Sequence, residues 1–78
     1  MNPIDEFLVH TKKLLSHSLS NSSLDPVGKL SFQTQVYALF QDNFDLEKIY
    51  YELLDILEQR DFDHLIPSID SYYQKNNL

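Results

Sequence analysis

The chain contains no cysteine and only one glycine among its 78 residues. Without cysteine it can form neither disulfide bonds nor thiolate metal sites. With Gly28 as its single glycine it cannot build the glycine-rich loop that cradles phosphate groups in nucleotide-binding proteins. These absences exclude disulfide scaffolds, cysteine-based metal centres and phosphate-loop enzymes.

Long apolar runs are missing as well. No uninterrupted apolar segment approaches the roughly 20 residues that a membrane-spanning helix needs. The first ten residues carry Asp5 and Glu6 where a secretory signal peptide would be basic. We therefore expect a cytoplasmic protein that does not associate with membranes.

Positive charge is the third scarcity, and it is unevenly distributed. The net charge is -6. Between Asp42 and Asp63 there are eight acids and two bases, whereas the rest of the chain has four of each. Binding to a nucleic-acid backbone relies on clustered lysine and arginine, so direct nucleic-acid binding is disfavoured. A basic protein is the more natural partner.

What is present is typical of one small folded domain. The hydrophobic content of 42% and charged content of 23% are those of a globular protein, not of a disordered segment. We therefore interpret residues 1–78 as a single helical domain with a small core.

The first half of the chain predicts two helices. Asn2 suits an N-cap and Pro3 a first helical position, so helix one is expected from Pro3 to about Leu19. Helix two is expected to begin at Pro26. Its uncharged stretch, residues 30–41, partly alternates like a strand, but a lone strand would leave its backbone groups without partners. A helix is therefore favoured, and the pattern leaves open whether this stretch is core or contact surface.

The second half predicts two more helices. Helix three should run from about Asp45 to Gln59. Helix four should start after a break near Arg60 and Asp61. Pro67 is tolerated only because it falls in the first turn or so of that helix. The apolar arc of helix three comprises Leu46, Ile49, Tyr50, Leu53, Leu54, Ile56 and Leu57. Similar helix lengths and short connections favour an all-α fold: a compact four-helix bundle of two antiparallel helical hairpins, which would be dimeric if helix two exposes an apolar stripe.

Catalytic and metal-binding residues are not predicted. His10 and His17 lie seven residues apart, about 10 Å along a helix, which suits a metal site with Glu6 poorly. The serines around His17 lack a nucleophile turn motif. The paired carboxylates of helix three fall on its most solvated side, where their pKa values would not separate. We expect no enzyme activity, no metal and no cofactor.

One tyrosine lies where carboxylates should be. Tyr51 falls in the middle of the outward arc of helix three, and tyrosine is enriched at protein interfaces. The alternative is that Tyr51 packs over its own helix against Leu54, or against the loop that follows helix one. The leading prediction is a non-enzymatic protein–protein interaction module, a small acidic adaptor, regulator or inhibitor. Its partner-binding residues would be Tyr51, Glu47, Glu52, Asp55 and Glu58.

Two other functions fit the same sequence. The first is a homodimeric structural or scaffold protein that associates through helix two, with its negative charge serving solubility. Its self-association residues would be Phe32, Val36, Leu39, Phe40 and Phe44. The second is an acidic protein that imitates nucleic acid and blocks a nucleic-acid-binding protein.

Overall fold

The structure is a computed structural model that describes residues 2–76. Four α-helices follow one another: α1 (Pro3–Ser20), α2 (Pro26–Asp42), α3 (Leu46–Gln59) and α4 (Ile66–Asn76). A single 3-10 turn, Asp63–Leu65, precedes α4, and residues 2–76 include no strand. The all-α prediction is confirmed, and the strand alternative for residues 30–41 is wrong.

Side-chain caps fix where the first three helices begin. The Asn2 side chain accepts a hydrogen bond from the Asp5 backbone N–H at 2.9 Å, and Asp25 accepts one from the Gly28 N–H at 2.7 Å. Asp45 caps α3 in the same way, so the helix begins at Leu46, one residue after the predicted start at about Asp45. Each cap satisfies a backbone donor that has no partner within the helix.

The end of α3 is a tight reversal of the chain. Asp61 adopts φ of 60°, a left-handed conformation that glycine usually fills. The Phe62 N–H then donates to the Leu57 carbonyl at 2.8 Å, and the Asp61 N–H donates to the Glu58 carbonyl at 3.2 Å. This pattern turns the Phe62 ring inward, where it packs edge-on against Phe32 with 4.7 Å between ring centroids.

Helix α4 begins later than the sequence predicted. Its start was expected directly after the break near Arg60 and Asp61, but Phe62 still belongs to the reversal and Asp63–Leu65 form the 3-10 turn. Pro67 is the second residue of α4, where its missing N–H has no partner to lose. The predicted position of Pro67 in the first turn is confirmed.

All four helices contribute to one apolar core, in which α1 packs against α2 and α4, and α3 packs against the same two helices. Phe7 of α1 is fully buried in this core, edge-on to Phe40 at 5.5 Å and stacked on Tyr72 at 5.7 Å. The buried apolar residues are Phe7, Leu15, Leu19, Phe32, Val36, Leu39, Phe40, Ile49, Tyr50, Leu53, Ile56, Leu57, Phe62, Leu65, Ile69 and Tyr73.

The predicted self-association surface of helix two divides between core and solvent. Phe32, Val36, Leu39 and Phe40 are buried inside the chain itself, so they are occupied by intramolecular packing. Phe44, in contrast, lies in the connection after α2 and is 92% exposed. Within residues 2–76, no helix combines the length and apolar character needed to cross a membrane.

Candidate functional site

The acidic face of α3 is the most strongly charged surface that the sequence predicted. We define it as Tyr51 with the four carboxylates Glu47, Glu52, Asp55 and Glu58, and all five residues are exposed. At 1.5 Å per residue, the stripe from Glu47 to Glu58 extends about 16 Å along the helix. The opposite side of α3 is the apolar arc that packs into the core, so the acidic face points away from the rest of the chain.

Tyr51 is held by a second tyrosine beneath it. Its ring is 58% exposed and lies edge-on to the Tyr50 ring, with 5.0 Å between centroids and 65° between planes. Tyr50 is buried and stacks flat on Tyr73 of α4 at 3.9 Å. The Tyr50 hydroxyl donates a hydrogen bond to Asp70 of α4. The exposed ring therefore stands on a support that two helices fix.

The packing around Tyr50 and Tyr73 raises the pKa values of both phenols. The hydrogen bond to Asp70, followed by burial, raises the pKa of Tyr50 to about 12. Burial also raises the pKa of Tyr73, and the charges of Glu47 and Asp45 raise it further. The negative potential at the start of α3 thus reaches a phenol on a neighbouring helix.

Arg60 does not neutralise the acidic face. Its Nε donates to the Gln35 side-chain oxygen at 3.1 Å, and its Nη2 donates to the Ser31 hydroxyl at 3.4 Å. The guanidinium also lies over the Phe32 ring at 5.2 Å. Of the two bases counted in the acidic segment, Arg60 therefore turns to α2 while Lys48 stays exposed on α3. The sequence offered no signal for this, because the three contacts lie 25 or more residues away.

A concave site at one end of α1 was missed by sequence reasoning. The end of α1, the loop after it and the connection between α3 and α4 enclose a cleft of about 760 Å³, here called the end cleft. In it the Ser18 hydroxyl and the His64 Nε2 lie 2.8 Å apart. The sequence analysis considered these serines only beside His17 and predicted no pair, whereas the structure pairs Ser18 with a histidine 46 residues away. Residues that line it include His17, Ser18, Leu24, Arg60, Phe62 and His64.

The histidines of α1 lie in different surroundings. The His10 ring stacks on Tyr72 at 4.1 Å, and burial lowers the pKa of His10 against the raising effect of a backbone hydrogen bond with Ser68. His17 is exposed at the end cleft. Within residues 2–76, no group of three or more histidine or carboxylate side chains is placed to hold a metal ion. The structure therefore does not bring Glu6 and these two histidines together as one site.

Comparisons of the chain with protein-family models, with curated proteins and with solved structures gave no match.

Proposed function

We propose that this protein is a non-enzymatic interaction module that presents the acidic face of α3 to a basic surface of another protein. The observation that carries the proposal is the placement of Tyr51. Its ring is 58% exposed, stands on the buried Tyr50 and is surrounded by carboxylates. An aromatic ring so exposed contributes little to the fold and is available to a partner.

The chemistry of the acidic face defines the partner. The carboxylates would steer lysine and arginine side chains toward α3, and the Tyr51 ring offers a cation–π contact once they arrive. Tyr50, Tyr73 and Asp70 hold the support of that ring before any partner binds, which lowers the entropy lost on binding. A partner that uses the same basic surface for nucleic acid would be blocked by this chain.

We also propose that the four helices form a bundle of two antiparallel hairpins. Contacts from both ends of α1 support this arrangement. Near its start, Phe7 meets Tyr73 at 6.2 Å, close to the end of α4. Near its end, Ser18 meets His64, just before α4. Phe7 also meets Phe40 near the end of α2. In such a bundle the acidic face of α3 lies on the outside.

Charge dependence is tested by affinity capture from native lysate with two matched variants. A partner of the acidic face should bind at low salt and be lost at about 0.5 M salt, where the Debye length falls to roughly 4 Å. Glu52→Gln/Asp55→Asn should reduce its capture. The control, Asp5→Asn/Glu6→Gln, has the same net charge and neutralises exposed acids on α1 instead. Equal loss with both variants would show that net charge alone matters and would contradict the proposal.

The Tyr51→Ala variant tests the anchor. We expect about a tenfold or greater loss of affinity for the partner captured at low salt, since truncation of a central aromatic anchor at an interface typically costs this much or more. Val27→Ala is the matched control, because Val27 is 77% exposed and lies on α2. Titration calorimetry with the purified partner gives both affinities. Unchanged affinity for Tyr51→Ala would remove the acidic face as the binding site.

A further inference from the structure

The imidazole ring of His10 lies in the contact between α1 and α4. It stacks on Tyr72 of α4, with 4.1 Å between ring centroids and 13° between planes. Tyr72 also stacks on Phe7 of α1, at 5.7 Å and 11°, and Phe7 is buried in the core. Two rings of α1 therefore hold one ring of α4, and His10 takes a direct part in the packing of these two helices.

One nitrogen of this ring is enclosed without a partner. Among the described residues, none forms a hydrogen bond with the Nε2 atom of His10, which is buried. When imidazole gains a proton both of its nitrogens carry hydrogen, so Nε2 would become a buried donor of a charged ring with no acceptor. A charged group costs more to bury without a partner than a neutral one. Burial accordingly lowers the pKa of His10, although a backbone hydrogen bond with Ser68 favours the charged ring.

The charges that surround His10 add to this effect. Lys13 lies one turn further along α1, and its charge lowers the pKa of His10. On the α4 side, Lys75 and Tyr72 line the same groove as His10, and Tyr72 contributes the face of its ring. Glu6 lines the adjoining groove and favours the charged ring. A proton on His10 would thus add a positive charge beside two ammonium groups and one carboxylate.

Helix α4 is less firmly anchored in the core than α2 and α3. It spans 11 residues, and its buried side chains are Ile69 and Tyr73, whereas α3 buries five. Between them, α2 and α3 hold the completely buried Phe32, Val36 and Ile49. Segments with few buried apolar side chains open at a lower free energy than the rest of a fold. A weakened contact between α1 and α4 should therefore release α4 before α2 and α3 separate.

We propose that His10 is a pH-sensitive joint, whose protonation in mildly acidic solution releases α4 from α1 while α2 and α3 stay packed. The folded chain binds this proton more weakly than the opened chain, so the stability from His10 is complete above pH 6.5 and is lost as the pH falls below it. Release also withdraws Tyr73 and Asp70 from Tyr50, which lies beneath Tyr51. The joint is a property of the free chain and does not depend on a partner of the acidic face.

Amide hydrogen exchange of the free protein at pH 7 and pH 5 tests the joint. The rates are corrected for the intrinsic effect of pH on exchange, so that they report opening of the helices. Opening of α4 should increase at pH 5 by up to about thirtyfold, the limit that linkage sets for a histidine whose ordinary pKa is 6.5. Opening of α2 should change much less. An unchanged α4, or an equal increase in α2 and α4, would overturn the proposal.

His10→Phe separates His10 from other groups that titrate in this range. Phenylalanine keeps an aromatic ring over Tyr72 but has no nitrogen to protonate, so opening of α4 should differ little between pH 7 and pH 5. The matched control is His17→Gln, which removes an exposed histidine of the same helix and should retain the wild-type increase. A full increase in His10→Phe, or its loss in His17→Gln, would contradict the assignment to His10.

A titration of the wild-type protein needs no variant to fold. The ring resonances of His10, followed by nuclear magnetic resonance between pH 4 and pH 8, should give a midpoint below 6.5, because burial lowers the pKa of His10. Exchange of α4 should increase over the same interval in which His10 gains its proton. A midpoint at or above 6.5 would overturn the proposal.

Discussion

Adjacent tyrosines on α3 have opposite roles. Tyr50 is buried and links α3 to α4 through its stack on Tyr73 and its hydrogen bond to Asp70, while Tyr51 leaves most of its ring in solvent. Their separation by 100° around the helix is enough to place one in the core and the other on the acidic face. The sequence predicted this division, since it follows from helical spacing alone.

The pH dependence of stability tests the role of Tyr50. Its pKa is about 12 in the folded chain against 10.0 for the free side chain, so the folded state retains the phenol proton more tightly than the unfolded state. Stability from this group is complete below about pH 10 and is lost as the pH rises toward 12. We expect the free energy of unfolding to fall over that interval, measured by urea denaturation at a series of pH values.

Tyr50→Phe should remove much of the fall in the free energy of unfolding at high pH. The part that remains comes from Tyr73, whose pKa is also raised. It should also lower stability at pH 7 by about 1–2 kcal/mol, because the Asp70 carboxylate loses a charged hydrogen bond. Tyr51→Phe is the control, since it removes a phenol hydroxyl without touching the Asp70 hydrogen bond. A decline that persists unchanged in Tyr50→Phe would disprove the assignment.

Helix boundaries show which parts of the architecture local sequence encodes. Asn2, Asp25 and Asp45 act as the caps that their residue types predict, and the break near Arg60 and Asp61 is where the sequence placed it. The 3-10 turn before α4 was not predicted, because Asp61 replaces the glycine that usually signals such a reversal. Side-chain chemistry near the helix ends thus predicts where the helices start better than it predicts how α3 ends.

Asp61→Gly should stabilise the protein. The left-handed conformation of Asp61 costs a residue with a side chain more than it costs glycine, although glycine gains entropy in the unfolded chain. The expected net gain is about 0.5–1 kcal/mol in the free energy of unfolding, measured by urea denaturation. Gln59→Gly provides the contrast, because Gln59 is the last residue of α3 and should lose about as much. A destabilised Asp61→Gly would show that the carboxylate itself holds the turn.

At the level of the whole chain, the sequence could not separate core from contact surface. Residues 30–41 carry no charge, and the same pattern would suit either. The structure turns Phe32 and Val36 inward, completely buried, and leaves Leu30 64% exposed. The position of Arg60 was equally unpredictable, since it depends on how close α2 lies to the end of α3. Such features depend on packing between helices that are distant in sequence.

The charge imbalance should make stability depend on salt. Arg60 is engaged with α2, so the exposed carboxylates of α3 repel one another with little neutralisation. Raising the ionic strength from about 10 mM to about 300 mM screens this repulsion and should increase the free energy of unfolding by about 0.5–1 kcal/mol. Urea denaturation at fixed pH measures it. Glu52→Gln/Asp55→Asn should be more stable at low salt and less sensitive to salt, and a decrease with added salt would contradict this account.

The stack of Tyr50 on Tyr73, 3.9 Å apart and within 10° of parallel, also gives the chain an optical signature. No tryptophan is present, so the near-ultraviolet circular dichroism and the intrinsic fluorescence of the free protein come chiefly from tyrosine. Two rigid, parallel rings couple their electronic transitions, and that coupling disappears when packing loosens even if the helices persist. The part of the near-ultraviolet band that comes from this coupling therefore reports the contact between α3 and α4. Any tryptophan emission from a complex belongs to the partner.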